Sequence, residues 1–525
     1  MNKVRVLDCT LRDGGYCNQW TFGHDNIKKI VNGLNEAGVE IVELGFLTNK
    51  VDFNPDITKY SSLSDISTII PKNRAGKMFV CLLNYGEYDI DDLPPYDGTS
   101  LDGIRVAFHK KDMHDALELC AEIKKKGYQV FIQAMVSLNY SDEEFLNMIH
   151  ICNEFEPYAF YIVDSFGVMK RKDLIRLFYI VEHNLKEKIF IGFHAHNNMQ
   201  LAYSNAQALV DAKTKRQLII DSSIFGMGRG AGNLNTELFL EYLNDNIDAA
   251  YELKPVLNII DDVIDKFYQT NYWGYSLPNY LSAAYNTHPD YASHLDYKKT
   301  LTFESMDEIF KMMSEEKRVN FDKDYIEELY TRYLATGKTY EEHLSELKEK
   351  LTGKKVLIIA PGKSAKDERE KIIQFAARED VISFSVNFDY SYHHTDFIFL
   401  SNLRRLRSFD GDKKCKVIVT SNIPESDVYL KTSYAKLLNN IEAVRDNASM
   451  MLIKFLISLG VKEIVIAGID GYNHEETENY FDEKLSFVNK NAVFDALNTG
   501  MSIVLKEFSK EVAISYITTP RYINI

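Results

Sequence analysis

Paired cysteines are missing from this chain. Its 525 residues hold 6 cysteines, and no two stand in a CxxC arrangement. That scatter argues against a thiolate metal site and predicts a reducing compartment. Long apolar runs are missing too. None reaches the roughly 18 residues that a spanning helix needs, so no membrane span is expected. No room is left for a leader, because Val4, Val6 and Leu7 already read as a strand; the expected location is the cytoplasm. Positive charge is in deficit: 61 Lys and Arg stand against 76 Asp and Glu, a formal net charge of -15. This balance argues against a nonspecific nucleic-acid surface, so no nucleic-acid partner is expected. It leaves room for a local site that binds a small anion. The hydrophobic content of 45% is ordinary for a soluble protein. The length implies two or three domains.

What is present begins with Val4 to Gly15, VRVLDCTLRDGG. A short apolar strand turns polar at Asp8, Thr10, Arg12 and Asp13, and two glycines follow. A strand that delivers a cation and a carboxylate to its C-terminal end suits the mouth of a (β/α)8 barrel. The expectation is that Arg12 and Asp13 diverge, one toward developing negative charge and the other toward a metal. Further apolar runs begin at Val39, Met78, Leu101, Tyr128, Ala159, Ile189 and Leu218, with helical patterns between most of them. This alternation, with polar residues after many different strands, favours a TIM barrel over a doubly wound sheet. Arg105 lies inside one run, where it either serves substrate or pairs with a carboxylate such as Glu43.

His194 and His196 flank Ala195 on one strand, so period 2 puts both imidazoles on one face. With Asp13 they make a two-nitrogen, one-carboxylate set. Asn233, in the glycine-rich GMGRGAGN, adds a carbonyl oxygen. Mixed N and O donors without thiolate suit Mn2+, Mg2+, Fe2+ or Zn2+ and do not by themselves choose between them; the expected cofactor is Mn2+ or Mg2+.

Five words carry a resemblance: TLRDGG at Thr10–Gly15, VELGF at Val42–Phe46, DSFG at Asp164–Gly167, GFHAHNN at Gly192–Asn198 and GMGRGAGN at Gly226–Asn233. They resemble the HMGL-like superfamily of metal-dependent aldolases and acyltransferases. Across residues 4–310 the likeness is nearest to 4-hydroxy-2-oxovalerate aldolase. It implies metal ligation by Asp13, His194, His196 and Asn233, and enolate stabilisation by Arg12. It implies making or cleaving a 4-hydroxy-2-oxo acid through a pyruvate enolate, with a 2-oxo acid and an aldehyde as substrates. Those aldolases place a histidine where this chain has Tyr16, so the acid/base role is open among Tyr16, His288, Tyr285 and Tyr291. His288 ranks first because imidazole exchanges protons near neutral pH. Cys17 ranks below them, since nothing near it supplies a base. The alternative within the superfamily is a Claisen-type acyltransferase.

The expected boundaries are a barrel over 1–250, a helical extension and linker over 251–350, and a Rossmann-like domain over 351–525. Lys348–Lys355, KEKLTGKK, reads as the second boundary. Strands are expected at Lys355–Ala360, Val381–Val386, Phe397–Leu400, Lys416–Thr420, Val461–Ile469 and Ala513–Ile517, with a helix at Thr432–Leu438. Pro361–Ser364, PGKS, follows the first strand and lacks Walker A spacing. LIIAPGKS, Asn387–Asp389 and VIAGIDGYN at Val465–Asn473 resemble nucleotide-dependent domains of bacterial surface-glycan enzymes. That likeness implies a nucleotide or nucleotide-sugar among Gly362, Ser364, Asn387 and Asp470. The joined expectation is an aldolase acting on a nucleotide-linked sugar aldehyde in surface polysaccharide biosynthesis, as a homo-oligomer. The alternative is a degenerate barrel scaffold carrying a nucleotide-binding, glycosyltransferase-like or dimerisation module.

Overall fold

The computed structural model describes residues 4–523, except 213, 299, 336, 338, 340, 410, 412, 426, 476–478, 483, 484 and 486–490. The chain divides into two compact units, 1–289 and 290–525. The division falls inside the stretch expected to be one helical extension. Its first part packs on the barrel: Gly33 of the helix His24–Ala37 lies against Ile259 of the helix Leu253–Ile259. Its later helix Lys323–Ala335 joins the second unit through Lys323 to Glu442 and Tyr330 to Asp446.

The first unit is a closed parallel barrel. Its strands are β1 (Val4–Asp8), β2 (Ile41–Leu47), β3 (Lys59–Tyr60), β4 (Met78–Asn84), β5 (Gly103–Phe108), β6 (Gln129–Ala134), β7 (Ala159–Asp164), β8 (Phe190–Ala195) and β9 (Leu218–Ser222). The order is β1-β9-β8-β7-β6-β5-β4-β2, closed by β1 on β2, with the two-residue β3 appended to β2. Leu7 registers with Asp221 on one side and Ile41 on the other. Nearly every residue of these strands is buried, as expected where helices cover the outside and side chains fill the inside. Leu7, Ile41, Val80, Phe131, Ala159, Tyr161 and Ile219 form an apolar inner cluster. Two residues further along β2 and β9, the same inward parity presents Glu43 and Asp221 instead. Arg105 and His194 share that polar layer through direct contacts with Glu43 and Asp221. Arg12 and Asp13 are on a one-turn helix, Thr10–Asp13, immediately after β1.

The second unit holds β10 (Lys355–Ile359), β11 (Val381–Val386), β12 (Phe397–Leu400), β13 (Val417–Thr420), β14 (Leu430–Thr432), β15 (Glu463–Ala467) and β16 (Ala513–Tyr516). They form an all-parallel sheet ordered β14-β13-β12-β11-β10-β15-β16. The order reverses between β10 and β15, which is the switch point of a doubly wound sheet. Sequence reading missed β14. It is three residues long with Lys431 at its centre, and the buried ammonium is satisfied by the carbonyl of Ile423 at 2.7 Å. The helix expected at Thr432–Leu438 shrinks to Tyr434–Leu437, capped by the Ser433 hydroxyl.

Candidate metal centre

Asp13, His194 and His196 converge in the barrel mouth. Their ligand atoms all lie within 4.8 Å of one another and all three residues are buried. Burial raises the Asp13 carboxyl, but Arg12, His196, His194 and the bond from Asn233 together hold it well below the usual carboxylate range. Burial, with His194, Arg229 and Arg12 adding to it and Asp13 opposing, lowers His196 to about 4. At neutral pH the cluster is therefore one carboxylate and an uncharged His196 ring, the states in which these groups bind a cation. Nδ1 of His194 is 2.9 Å from Oδ2 of Asp221. Arg105 and His194 hold Asp221 below its ordinary value against burial, so it accepts and Nδ1 must donate. That fixes the tautomer and leaves the Nε2 lone pair to a metal.

Asn233 completes the set. Its amide nitrogen donates to Oδ2 of Asp13 at 2.6 Å, while its Oδ1 is buried with no hydrogen-bond partner among the described residues. A buried acceptor left over beside a carboxylate and two imidazoles is what a coordinated cation would satisfy. Gly228 makes the approach possible: a Cβ there would stand 2.2 Å from the Asn233 amide and 2.7 Å from Asp13.

Arg12 does not diverge from Asp13. Its Nη1 is 2.5 Å from Oδ1 of Asp13 and its Nε donates to Glu43 at 2.9 Å. Adjacent residues on one helical turn, enclosed with a second carboxylate, lower their energy by pairing. Among the described residues, Nη2 of Arg12 has no protein hydrogen bond, which leaves it for a substrate oxygen. Arg105 is fully buried and contacts Glu43 at 2.8 Å and Asp221, with its guanidinium carbon 4.9 Å from the centre of the Tyr161 ring. A continuous chain thus runs Asp13, Arg12, Glu43, Arg105, Asp221, His194, and it begins and ends on candidate metal ligands. Arg105 belongs to the protein's own charge balance.

Of the acid/base candidates, Tyr16 and His288 are brought together by a residue that sequence reading missed. The Arg229 guanidinium lies 5.3 Å from the centre of the Tyr16 ring and donates to the imidazole of His288. Arginine only donates, so the ring nitrogen that accepts from it is unprotonated. Arg229 is the one charged side chain in GMGRGAGN, and that singularity was the available signal. Tyr285 ends the helix Leu277–Ala284. Tyr291 belongs to the second unit. It is fully buried, and its hydroxyl lies 2.7 Å from the carbonyls of both Lys317 and Asn320. Those bonds account for it as a structural anchor. Burial pushes the Cys17 thiol up to about 12, so it stays protonated. Asn198, also missed, ties the glycine-rich loop down: it donates to Phe166 and accepts from Ala231.

A family model described as HMGL-like matches residues 104–263. Curated relatives include 4-hydroxy-2-oxovalerate aldolase of Pseudoalteromonas translucida, 25% identical over 265 residues, covering 50% of this chain and 76% of that one. That of Geobacillus genomosp. 3 is 27% identical over 267 residues, covering 50% and 77%. Among solved structures is the N-terminal domain of a Bacteroides vulgatus protein assigned to the aldolases, at 27% identity and TM-score 0.49, covering 57% of this chain and 98% of that one. The barrel unit belongs to the HMGL-like superfamily. Its match and the Asp/His/His cluster fall in the same unit, and every donor sits on or just after a strand's C-terminal end, where such barrels keep their chemistry.

In the second unit, Gly362, Asn387 and Asp470 line one cavity. Ser364 is fully buried behind it. Its amide donates to Oδ2 of Asp470 at 2.7 Å and its hydroxyl to Oδ1. The amide of Gly362 donates to the carbonyl of Gly468 at 3.0 Å, and a Cβ on Gly362 would stand 2.3 Å from that oxygen. The following helix, Ser364–Asp367, is a single turn. The PGKS turn therefore spends these two amides on its neighbours, and Asp470 occupies the place where a phosphate was expected. Among the described residues no helix is long and apolar enough to cross a membrane.

Proposed function

We propose that the barrel is a divalent-metal-dependent carbon–carbon bond enzyme that makes or cleaves a 4-hydroxy-2-oxo acid through a pyruvate enolate. The observation that carries this reading is the buried Asp13–His194–His196 set with Arg12 bonded to its carboxylate. The aldolase relatives support the choice of substrate class. Asp13, His194, His196 and Oδ1 of Asn233 hold the cation, Mn2+ or Mg2+. A cation there supplies Lewis-acid stabilisation of charge on a 2-oxo acid. Arg12, fixed through Nε and Nη1, offers Nη2 to the oxygen where negative charge develops. Tyr16 and His288 stand with Arg229 at the mouth. The nitrogen of His288 that accepts from Arg229 is unprotonated, and the imidazole relays the proton of the 4-hydroxyl. The apolar barrel interior beneath the ionic layer keeps water from below.

Exchange of the pyruvate C3 protons in deuterated water, followed by NMR, tests the reading. The enzyme should exchange them after Mn2+ or Mg2+ is restored to chelator-treated protein, and should not do so before. Metal-replete, folded protein that leaves pyruvate unexchanged over hours would remove the enolate from the mechanism.

A further inference from the structure

Glu43, Arg105, Asp221 and His194 meet one another inside the barrel in ion pairs and hydrogen bonds. Gln133 is different. It is on β6, two residues beyond Phe131 of the inner apolar cluster, so its side chain points inward as well. It is 3% exposed, and its Nε2 has no hydrogen-bond partner among the described residues. A buried NH2 left unpaired is costly, and folded proteins rarely leave one without a purpose.

The stagger of the strands determines what Gln133 faces. Hydrogen-bonded rows run across the sheet, and in a (β/α)8 barrel they slip by about one residue per strand relative to the level of the side chains. The contacts of the ionic chain obey this. The row from Glu43 passes Val80 and reaches Gly103 on β5, and the partner of Glu43 is Arg105, two residues on. The row from Arg105 passes Phe131 and reaches Ala159 on β7, and the ring beside Arg105 is Tyr161, again two residues on. The row from Gln133 passes Tyr161 and reaches Gly192 on β8. Two residues on is His194, a candidate metal ligand, which therefore stands level with Gln133. On the other side the surroundings are apolar. Ala107, in register with Gln133, packs with Phe46 and Leu82, and their side chains offer the amide no acceptor.

We propose that Gln133 is a substrate-binding residue of the barrel, its NH2 donating to the carboxylate of the 2-oxo acid. The inference rests on the proposed barrel chemistry for the identity of its ligand, and it adds the residue that selects an acid. An amide NH2 only donates, so its partner must be an oxygen with a lone pair to spare. Arg12 serves the ketone oxygen, where charge develops in the reaction. The carboxylate carries its charge from the start, and a donor held ready for it binds ground state and transition state alike. Depth makes the same choice. Gln133 is level with His194, below the mouth by which an aldehyde enters, so it faces the reactant held deepest. It thereby favours 2-oxo acids over aldehydes and ketones that lack the carboxylate.

Calorimetric titration of the full-length, Mn2+-replete protein with pyruvate tests it, with metal content measured on the same samples. Gln133→Met keeps the length and removes both donors. It should weaken pyruvate binding by about 10- to 100-fold, the loss expected for a hydrogen bond to a charged group, at the metal content of the parent. Gln133→Asn draws the NH2 back by one methylene and should lose a similar factor; it stands in should the Met variant fail to fold. Pyruvate exchange at limiting concentration should slow in proportion. Exchange in the parent decides the enolate reading separately. A parent that binds pyruvate without exchanging it loses the enolate, while weakened binding in the variants still upholds Gln133. A parent that exchanges, with folded variants that bind pyruvate as tightly as it does, keeps the enolate and overturns Gln133. Loss of metal in proportion to loss of pyruvate also overturns it, since Gln133 would then support the ligands and not the substrate. So does a parent that binds no pyruvate at millimolar concentration.

Discussion

At the mouth of the barrel, Arg12, Glu43, Arg105 and Asp221 are shut in together and neutralise one another. At the strand ends of the second sheet, Asn387, Asn402 and Arg405 line a crevice whose lining also holds the ion pairs of Glu327 and Glu442. Both are parallel sheets covered by helices, so the difference comes from closure. In a barrel, every second residue of every strand points to one interior, and charges placed there must meet their counter-charges. The chain that results is rigid and positions metal ligands. In an open sheet the ends diverge at the switch point, and the space between them needs only a few donors. One architecture builds a site from buried charge, the other from a gap.

Removing a ligand from the closed site should have the largest effect. His194→Ala leaves Asp13 and His196 with the amide of Asn233, and elemental analysis after dialysis should show divalent metal falling from near one per chain to under about a tenth. Equal content in both proteins would mean that the cluster is only an ion-paired core. Next comes the interior of the chain. Arg105→Met strands Glu43 and Asp221 without their shared cation, and denaturant unfolding should report a loss of about 3–5 kcal/mol. A loss below about 1 kcal/mol would show that the carboxylates are neutralised in another way. Arg12→Lys keeps the charge but loses the fork that spans Asp13, Glu43 and a substrate oxygen. Metal content should persist while pyruvate exchange slows by about 10- to 100-fold, or about 1.4–2.7 kcal/mol of barrier. In the open site the corresponding structural change is smaller. Ser364→Ala removes one hydroxyl from Asp470 but keeps the amide bond, at a cost of about 1–2 kcal/mol.

Much of the closed site was legible in the sequence because its residues sit at fixed periods on strands. His194 and His196 had to share a face, and the polar end of β1 had to reach the mouth. What escaped was pairing across the barrel. Arg105 meets Asp221 over 116 positions of sequence, and no local pattern announces that contact. For the same reason the divergence expected of Arg12 and Asp13 gave way to an ion pair once Glu43 closed the third side. Arg229 escaped because it lies on a loop, where no period applies. The open site was legible as a fold, but not in the pairing of its turn. PGKS has the composition of a phosphate turn, but Asp470, over a hundred residues later, fills it. Asn387, Asn402 and Arg405 come from two other strand ends and are brought to one cavity by sheet order.

The finest test compares one residue type in the two settings. Asp164 ends β7 of the barrel and accepts the amides of Val168 and Met169 at 2.9 and 3.0 Å. Burial raises it to about 7, against the pull of those amides. Asp470 follows β15 and is raised as well by burial, opposed by the hydroxyl and amide of Ser364 and by Arg521. A carboxyl whose folded pKa lies above its unfolded value near 4 binds its proton more tightly when folded. The stabilisation it gives is full below about pH 4 and is lost as pH rises through the folded value. Between about pH 5 and pH 8 the native protein should therefore lose stability relative to Asp164→Asn, which keeps an oxygen for the amides and does not titrate. The gap in Tm should widen by about 2–8 °C over that range. Asp470→Asn should show the same sign and a smaller widening, because that carboxyl lines a crevice and has two donors from one serine. Equal widening in the two variants would mean that closure of the barrel adds nothing to the desolvation of a strand-end carboxylate. The contrast between the two architectures would then reduce to the pairing of charges alone.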